Sequence, residues 1–396
     1  MIFHHANYDK TMKRKLRMGM VGGGLDAFIG AVHRKAAALD GNIELVCGAF
    51  SSSPEKSRAA GESLGLHPHR IYGSFAEMFR KEKNLPGDMR MDFVAIVTPN
   101  HVHYAPAKMA LESGFHVVLD KPMTLTVAEA RKLSAIASKS KLLLALTHTY
   151  TGYPMVKEAR NLVASGKLGA IRKVYAEYTQ GWLSGPLEVT GQKQAAWRTD
   201  PKRSGLGGAT GDIGTHAANL AEYITGNRIT SVCAQLNRVV KGRKLDDDAS
   251  MLLTFDNKSS GVLNATQIAA GEENNLTIRV YGELGGLEWH QEEPNTLIVK
   301  WPDRPKEIYR TGFGYVSAAA KASTRTPSGH PEGYIEAFAN IYENFARAVR
   351  EFKPGKTKAA DYDFPSVEEG VRGMEFVEAA VKSSRAKQKW VTIKQS

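Results

Sequence analysis

The sequence predicts an α/β chain, with a doubly wound parallel sheet in the N-terminal part and an α+β domain with a large, open, mostly antiparallel sheet behind it. Over the first 150 residues, short apolar runs rich in β-branched residues alternate with helical segments, a pattern typical of a parallel sheet covered on both faces. Beyond them, several strand-like runs follow one another without intervening helices, which favours antiparallel pairing. At about 150 residues per domain, the 396 residues fit two to three domains, and two is the simplest division.

The first domain is predicted from five apolar runs and from the helix signals between them. Ser74 precedes Glu77, and Thr126 precedes Glu129, at the spacing of a capping box, so a helix should begin after each. The predicted strands are residues 18–21, 43–50, 93–97, 116–119 and 142–146.

The second domain is predicted to open with a helix over 154–165 and a strand over 171–182, with a further helix near His216. Two helices, 332–351 and 366–384, should close the chain before a short strand at 390–393. The strands between them are predicted over residues 231–240, 251–255, 261–269, 276–281 and 297–301. We expect residues 1–15 to form a loose extension and the domain boundary to fall after residue 150.

The basic excess lies mostly in the chain ends. Lys and Arg number 53 against 41 Asp and Glu, a net charge of +12. Residues 1–19 hold five basic residues against one acidic residue, and four more basic residues follow residue 384. Since no zinc-finger spacing, aromatic RNA-binding signature or long basic helix accompanies this charge, we expect no nucleic-acid partner. An anionic cofactor or acidic substrates are the simpler explanation.

Neither a membrane nor a disulfide framework is expected. No apolar stretch reaches the roughly 18 residues that a membrane span needs, and the N-terminus lacks the apolar run of a signal peptide, so the expected location is the cytoplasm. Cys47 and Cys233 are too few for a disulfide framework or a cysteine-based zinc site, and we interpret both as structural thiols.

A glycine turn follows the first predicted strand. Gly22, Gly23 and Gly24 precede a helical segment at 28–39, where backbone N–H groups at a helix N-terminus can approach a pyrophosphate. Interpreted as G-x-G-x-x-A, the turn consists of Gly22, Gly24 and Ala27. Its position after the first strand of an alternating domain predicts dinucleotide binding.

The second strand ends in serines where an acidic residue would bind the ribose hydroxyls of NAD. Ser51 and Ser52 would not repel a 2′-phosphate, and Lys56 or Arg58 could supply positive charge, so the cofactor is NAD or NADP. The same residues also fit a helix that is N-capped by Ser53 before Pro54. Cofactor binding and helix capping both remain open interpretations of this segment.

Polar residues also follow two later strands. Asn100, His103 and Lys121 fall at the carboxyl ends of neighbouring strands, where open α/β sheets bind ligands. His101 and His103 also fit an ordinary turn with one helix-capping imidazole. No metal site is expected, because no carboxylate or cysteine cluster joins these histidines.

In the second domain, Asp212 and His216 lie four residues apart at the start of a helix, so both can point into one cleft. A carboxylate beside an imidazole fixes its tautomer and raises its basicity, as proton removal from an alcohol requires. The pair also fits a solvated capping arrangement, but the glycines before it and Lys121 in the other domain favour a catalytic site.

Taken together, TPNHVH (98–103), DKP (120–122) and GDIGTH (211–216) resemble the Gfo/Idh/MocA family of nicotinamide-dependent sugar and polyol oxidoreductases. The similarity extends over the chain from about residue 16. It implies an N-terminal Rossmann domain (16–150) that binds the dinucleotide, and a C-terminal domain (151–396) that binds substrate and forms homodimers or homotetramers.

The resemblance also implies roles for single residues. Lys121 matches the lysine of the family's E-K-P motif, with Asp120 in place of the glutamate. Asp212 and His216 match its D-x-x-x-H pair, in which the histidine is the acid/base and the aspartate holds substrate.

A W-R element of the family, near the nicotinamide, is matched by Trp197 and Arg198. Two departures stand out: about three extra residues precede Ile29 in the glycine loop, and Ser51 replaces the acid after the second strand. The predicted cofactor-binding residues are Gly22, Gly24, Phe28, Ile29, Ser51, Ser52, Lys56, Thr98, Asn100, His103, Lys121, Trp197 and Arg198.

The predicted activity is hydride transfer between a nicotinamide and a secondary carbinol carbon of a sugar, a sugar derivative or an inositol, with oxidation at C3 of a pyranoside preferred. His216 would take the hydroxyl proton, and Lys121 would orient and polarise the oxygen. The predicted substrate-binding residues are Lys121, Tyr150, Tyr153, Trp182, Arg198, Asp212 and His216.

Two alternatives remain. A permanently bound cofactor could drive elimination or epimerisation of glycosides by transient oxidation. Some members of the family are nucleotide-responsive regulators, which would predict a broken catalytic set, whereas Lys121, Asp212 and His216 are all present.

Overall fold

A computed structural model of the chain describes residues 14–393. Its first sheet has five parallel strands in the order β2-β1-β3-β4-β5. The direction in which strands are added reverses between β1 and β3, which is the switch point of the sheet. The strands are β1 (Leu16–Gly22), β2 (Ile43–Ala49), β3 (Phe93–Val97), β4 (His116–Leu119) and β5 (Leu144–Leu146). This confirms the predicted doubly wound sheet, and the switch point is where such sheets bind ligands.

Five helices connect and cover these strands: α1 (Phe28–Ala38), α2 (Pro54–Ser63), α3 (Phe75–Lys83), α4 (Tyr104–Glu112) and α5 (Val127–Ser140). The predicted caps are confirmed. Ser74 Oγ accepts the Glu77 amide at 3.2 Å, and Thr126 Oγ1 accepts the Glu129 amide at 3.2 Å. Each glutamate reaches one residue further back than a capping box requires, to the amide of Gly73 or Leu125.

The second sheet has nine strands in the order β13-β12-β11-β10-β6-β9-β8-β7-β14. The pairing of β6 with β9 is parallel and the other pairings are antiparallel, which confirms a mostly antiparallel sheet. The strands are β6 (Ile171–Thr179), β7 (Ile229–Asn237), β8 (Asp248–Phe255), β9 (Ser260–Thr266), β10 (Asn275–Gly282), β11 (Gly286–His290), β12 (Thr296–Lys300), β13 (Glu307–Arg310) and β14 (Val391–Thr392).

One face of this sheet is buried and the other is open. Along β8, Ala249, Met251, Leu253 and Phe255 are buried, whereas Leu252 between them is 49% exposed. This alternation is what a strand with one covered face requires. The remaining helices are α6 (Pro154–Ala164), α7 (Lys193–Arg198), α8 (Pro201–Ser204), α9 (Thr215–Thr225), α10 (Ala318–Ala322), α11 (Tyr334–Arg350) and α12 (Val367–Arg385).

Helix α11 packs against the first sheet, although it follows the second sheet in the chain. Phe338, Tyr342 and Phe345 are buried in the same core as Phe93 of β3, and the rings of Phe345 and Phe93 lie 5.3 Å apart. The boundary after residue 150 therefore stays a prediction about chain order, because residues far beyond it complete the core of the first sheet.

The predicted extension at 1–15 falls mostly outside the described residues, which begin at Arg14. Arg14 forms an ion pair with Asp92 at 2.7 Å. Between residues 14 and 393, no helix is both long enough and apolar enough to cross a membrane.

Candidate active site

A cavity of about 690 Å³ opens at the carboxyl ends of the first sheet and is closed on its other side by the second domain. Its size suits a small-molecule ligand. The lining residues from the first domain include Ala27, Phe28, Ile29, Thr98, Asn100, Asp120, Lys121 and Tyr150, and those from the rest of the chain include Tyr178, Gln180, Trp182, Trp197, Arg198, Asp212, His216, Asn274, Gln291 and Tyr334.

The glycine turn brings the backbone close to the sheet. Gly22 has φ of +79°, and a Cβ there would lie 2.6 Å from the Val97 carbonyl oxygen. A Cβ on Gly30 would lie 2.4 Å from Gly23 Cα, so the turn can pack closely against α1 only because residue 30 is a glycine. The G-x-G-x-x-A interpretation had assigned this close-packing role to Ala27. A bare, left-handed turn in front of a helix fits a dinucleotide pyrophosphate.

Two of the predicted cofactor residues at this turn line the cavity, and others lie apart from it. Phe28 and Ile29 contribute to the lining. The residues at the end of β2 lie outside it, with Ser51 half-buried and Ser52 and Lys56 exposed. Ser53 Oγ accepts the Lys56 amide at 3.3 Å, which confirms the N-cap alternative.

After β3, Thr98 and Asn100 line the cavity, and Asn100 Nδ2 donates to the Ser204 carbonyl oxygen at 3.0 Å. Thr98 Oγ1 is buried and has no hydrogen-bond partner in the part of the chain that is described. His103 is completely buried outside the lining, with its ring nitrogens 2.8 Å from the Thr98 and Pro122 carbonyl oxygens. His103 thus connects the turn after β3 to the turn after β4 through hydrogen bonds. It was predicted to contact the cofactor, but it lies outside the cavity lining and supports these turns.

Lys121 and Asp212 come together across the two domains. Lys121 Nζ donates to Asp212 Oδ1 at 2.9 Å and to the Asp212 carbonyl oxygen at 2.8 Å. The other carboxylate oxygen accepts Arg198 Nε at 3.1 Å and Gln267 Nε2 at 2.9 Å. Burial alone would raise the pKa of Asp212, but the charges of Lys121 and Arg198 outweigh it and hold this pKa well below its usual range.

His216 lines the cavity as a neutral imidazole. Burial, together with the Lys121 ammonium, lowers the pKa of His216 well below its usual value. Asp212 binds Lys121, Arg198 and Gln267, and His216 Nδ1 instead lies 3.5 Å from His148 Nδ1. The expectation that Asp212 fixes the His216 tautomer is therefore wrong. The charge of Asp212 does raise the pKa of His216, as expected, but burial and Lys121 lower this pKa by more.

Tyr150 and a set of hydrogen-bonded side chains from the second domain also line the cavity. The hydroxyls of Tyr150 and Tyr178 bond to each other, and Tyr178 donates to Asn274 Oδ1 at 2.7 Å. Gln180 Nε2 donates to the same oxygen at 2.7 Å, and Gln180 Oε1 accepts Trp182 Nε1 at 3.0 Å. Tyr150 and Trp182, both predicted to bind substrate, thus line the cavity.

Tyr153, also predicted to bind substrate, lies outside the lining. It is 2% exposed, and its ring packs 5.3 Å from that of Trp289. It supports Tyr150, whose ring stacks on it at 6.4 Å.

The W-R element lies at the mouth of the cavity. The Arg198 guanidinium lies 4.2 Å above the Trp197 ring, and Gln194 Oε1 accepts Arg198 Nη1 at 2.6 Å and Trp197 Nε1 at 3.1 Å. On the same short helix, Lys193 pairs with Asp26 of the glycine loop at 3.1 Å.

Sequence reasoning missed several polar residues of the site, among them His148, Gln180, Gln267, Asn274 and Gln291. Thr147 and His148 directly follow β5 (Leu144–Leu146), so the rule that selected Lys121 would also have found them. Asn274 and Gln291 flank β10 and β11 in a sheet whose register the sequence does not reveal.

Two family models cover most of the chain. Residues 16–148 match the oxidoreductase family's NAD-binding Rossmann fold, and residues 156–288 match the Gfo/Idh/MocA C-terminal domain. The N-terminal domain is thus an NAD-binding Rossmann domain.

Known proteins resemble the chain over nearly its full length. The uncharacterised oxidoreductase YfiI of Bacillus subtilis is 30% identical, with 98% of this chain and 99% of YfiI aligned. The crystal structure of an inositol dehydrogenase homologue from Azotobacter vinelandii with NAD⁺ has a TM-score of 0.91 and 34% identity, covering 97% of this chain and 98% of that one. A further structure of that homologue contains NADH and myo-inositol.

A levoglucosan dehydrogenase in complex with NADH and levoglucosan has a TM-score of 0.82 and 25% identity, with 96% of this chain and 100% of that one covered. The fold, the two matched domains and these relatives agree, and the chain is a member of the Gfo/Idh/MocA family of NAD-binding oxidoreductases.

Proposed function

We propose that the protein is an NAD-dependent dehydrogenase that oxidises a secondary hydroxyl of an uncharged cyclic polyol or sugar. The observation that carries this proposal is the meeting of Lys121, Asp212 and His216 in one cavity between the two domains.

Lys121 has the right bonding for orienting an alcohol. An ammonium has three N–H groups, and two of them are directed at Asp212. The third can donate to the substrate oxygen, so Lys121 polarises the hydroxyl and the carbonyl that forms from it. Asp212 holds the ammonium in place, which is a different role from the one the resemblance implied.

His216 can accept the proton of that hydroxyl, because the lowered pKa keeps its ring neutral at neutral pH. Bound NAD⁺ supplies the acceptor for the hydride that leaves the carbinol carbon. Thr98 and the glycine turn at Gly22 are suited to hold the cofactor. The Thr98 hydroxyl has no hydrogen-bond partner among residues 14–393, and the turn presents a bare backbone.

The charges of the lining favour an uncharged substrate. The cations Lys121 and Arg198 are matched by the carboxylates of Asp212 and Asp120. The other polar groups are uncharged amides, hydroxyls, indoles and the imidazole of His216, which suit a ring that carries several hydroxyl groups. Gln291 Oε1 is buried without a hydrogen-bond partner among residues 14–393 and can accept from a substrate hydroxyl.

The relatives support the same class. The Azotobacter vinelandii homologue binds myo-inositol, and the levoglucosan dehydrogenase binds levoglucosan, an uncharged sugar anhydride. We propose an inositol or a pyranoside for this chain, with C3 as the preferred carbon of a pyranoside.

The test is a titration of the purified protein with NAD and NADP, followed by the absorbance of reduced nicotinamide with each candidate substrate. The panel contains myo-inositol, levoglucosan, glucose and methyl glucoside, with glucuronate and glucose 6-phosphate as charged counterparts. We expect NAD reduction with an uncharged ring. Faster reduction with the charged counterparts would contradict the neutral-substrate proposal, and tight NAD binding with loss of an aglycone but no NADH release would point to transient oxidation.

We further propose that the open face of the nine-stranded sheet mediates a homodimer or a homotetramer. It carries Leu252 (49% exposed) and Ile308 (56% exposed) among polar neighbours. Light scattering coupled to gel filtration measures the mass, and a monomer at all concentrations would contradict this proposal.

A further inference from the structure

A second histidine stands behind His216. His148 directly follows β5 and is 2% exposed, and its Nδ1 lies 3.5 Å from His216 Nδ1 with the two rings at 86°. His216 lines the cavity and His148 lies outside the lining. The Nδ1 edge of His216 therefore faces His148, which leaves the Nε2 edge of this lining residue available to the cavity.

Other candidate partners of His216 Nδ1 are engaged elsewhere. The carboxylate of Asp212 binds Lys121, Arg198 and Gln267. The Tyr150 ring packs edge-on against His216 at 4.8 Å, with its hydroxyl bonded to Tyr178. Within residues 14–393, His148 is the polar group recorded in hydrogen-bond contact with the His216 ring.

A contact between two Nδ1 atoms requires one N–H and one lone pair. If His148 donates, Nε2 of His216 carries the proton and cannot take one from an alcohol. If His216 donates from Nδ1, its Nε2 holds a lone pair toward the cavity, as a base requires.

We propose that His148 is a positioning residue that accepts the Nδ1–H of His216 and so keeps the Nε2 lone pair of His216 directed at the substrate hydroxyl. This inference rests on the proposed function and gives His148 the part that the sequence assigned to Asp212. In the forward reaction the alcohol O–H bond breaks, an Nε2–H bond forms on His216, and the C–H electron pair leaves as hydride to NAD⁺. His216 keeps its Nδ1–H on His148 throughout, and the reverse reaction returns the Nε2 proton.

His148 is suited to remain a neutral acceptor when His216 becomes charged. Burial and the nearby Lys121 ammonium lower the pKa of His148 to about 3. The charged and titratable groups around the two imidazoles come from several elements, namely Lys121, Asp120, Asp212, Tyr150 and Tyr178.

The direct test is the tautomer of His216, measured by ¹⁵N chemical shifts of histidine-labelled protein with NAD bound. The His216 signals are identified by their absence from a His216→Asn sample. We expect protonation at Nδ1 in the wild-type protein and a mixture of tautomers in His148→Leu. A wild-type Nε2–H tautomer, or His216 signals that stay unchanged in His148→Leu, overturns the inference. This readout needs no turnover, so it stands even if the proposed reaction fails.

Three variants separate the positioning role from packing. The amide oxygen of His148→Asn can occupy the place of Nδ1 and accept the proton, whereas the longer side chain of His148→Gln places its amide near the position of Nε2. With myo-inositol and levoglucosan as probes, we expect His148→Leu and His148→Gln to lower kcat by about 10²-fold with KM unchanged. His148→Asn should recover most of that loss. Equal kcat values in the Leu and Asn variants, or a change confined to KM, would overturn the inference.

Discussion

At the scale of single residues, the site depends on which partners the three N–H groups of Lys121 have. With two N–H groups on Asp212 and one toward the cavity, the side chain is held and still has a donor for the substrate. Under the proposed function, removing Lys121 would take away both the orientation and the charge stabilisation of the reacting oxygen.

We predict that Lys121→Ala and His216→Ala each lower kcat by about 10² to 10⁴-fold, because each removes a positioned proton donor or acceptor. Circular dichroism and NAD titration should show a folded protein that still binds cofactor. Lys132→Ala, an exposed change on α5, is the matched control and should leave kcat unchanged. Wild-type turnover in both site variants would refute the assignment.

The sequence predicted that Lys121, Asp212 and His216 lie in one cavity, because strand ends and helix spacing are local properties, and the structure brings the three together. The hydrogen bonds among these three side chains could not be predicted from such local properties. Whether Asp212 bonds to His216 or to Lys121 depends on how β4 and the segment before α9 approach across the cavity. Gln267, which directly follows β9 of the second sheet, also bonds to Asp212. His148 was accessible by the strand-end rule.

At the scale of elements, the strand pair β4–β5 contains a pH-sensitive bond. His116 Nδ1 accepts the Leu143 amide at 3.0 Å, and the His116 ring packs 4.5 Å from Phe352. Burial lowers the pKa of His116 to about 4, against roughly 6.5 in an unfolded chain.

Because the unfolded chain binds this proton more tightly, the stability that depends on neutral His116 is complete above about pH 6.5 and falls as the pH drops toward 4. The difference amounts to about 3 kcal/mol at most. We predict that His116→Asn, whose amide oxygen can accept from Leu143, shows a shallower loss of unfolding free energy between pH 7 and 4.5 in denaturant titrations. An identical slope in the two proteins would contradict this.

The contact between the glycine turn and α1 leads to a second prediction at this scale. Gly30→Ala places a Cβ 2.4 Å from Gly23 Cα, so the helix must move away from the turn. We expect a destabilisation of about 1–3 kcal/mol and weaker NAD binding. Gly373→Ala, inside α12 with no atom within 4 Å of the new Cβ, should be neutral or stabilising by up to about 1 kcal/mol. Equal melting temperatures and equal NAD affinities for the two variants would refute the packing argument.

Most elements were predicted within a few residues, since apolar runs and caps mark them locally. Two strands were missed, β11 (Gly286–His290) and β13 (Glu307–Arg310). The first begins with glycine and contains Trp289 among polar residues, and the second has charged residues at both ends. Their pairing with β10 and β12 supplies the stability that their own sequences do not indicate.

At the scale of the whole molecule, the two sheets do not have separate sets of helices. Phe345 of α11 is completely buried against Phe93 and Phe364, so a residue late in the chain stabilises the N-terminal sheet. Chain order suggested a boundary after residue 150, and a contact across more than 200 positions gives no local signal by which the sequence could have shown otherwise.

We predict that Phe345→Ala lowers the free energy of unfolding by about 3–5 kcal/mol, because it leaves a cavity in the core of the first sheet. The same variant should bind NAD more weakly at temperatures near the unfolding transition, since this sheet belongs to the NAD-binding domain. Phe313→Ala, at a side chain that is 41% exposed, should cost much less. Thermal melts followed by tryptophan fluorescence and by NAD protection would test this. A normal cofactor affinity up to the melting temperature would show that α11 is dispensable for the first sheet.

The return of α11 to the first sheet has a consequence for how the protein is made. A ribosome completes β5 about 200 residues before it completes α11 (Tyr334–Arg350), an interval of roughly 10–40 s at common elongation rates. During that time the face of the sheet around Phe93 lacks the part of its cover that α11 supplies. The nascent N-terminal half therefore exposes apolar surface until α11 has been synthesised. We expect chaperones to bind the chain mainly during this interval, and less after the chain has left the ribosome.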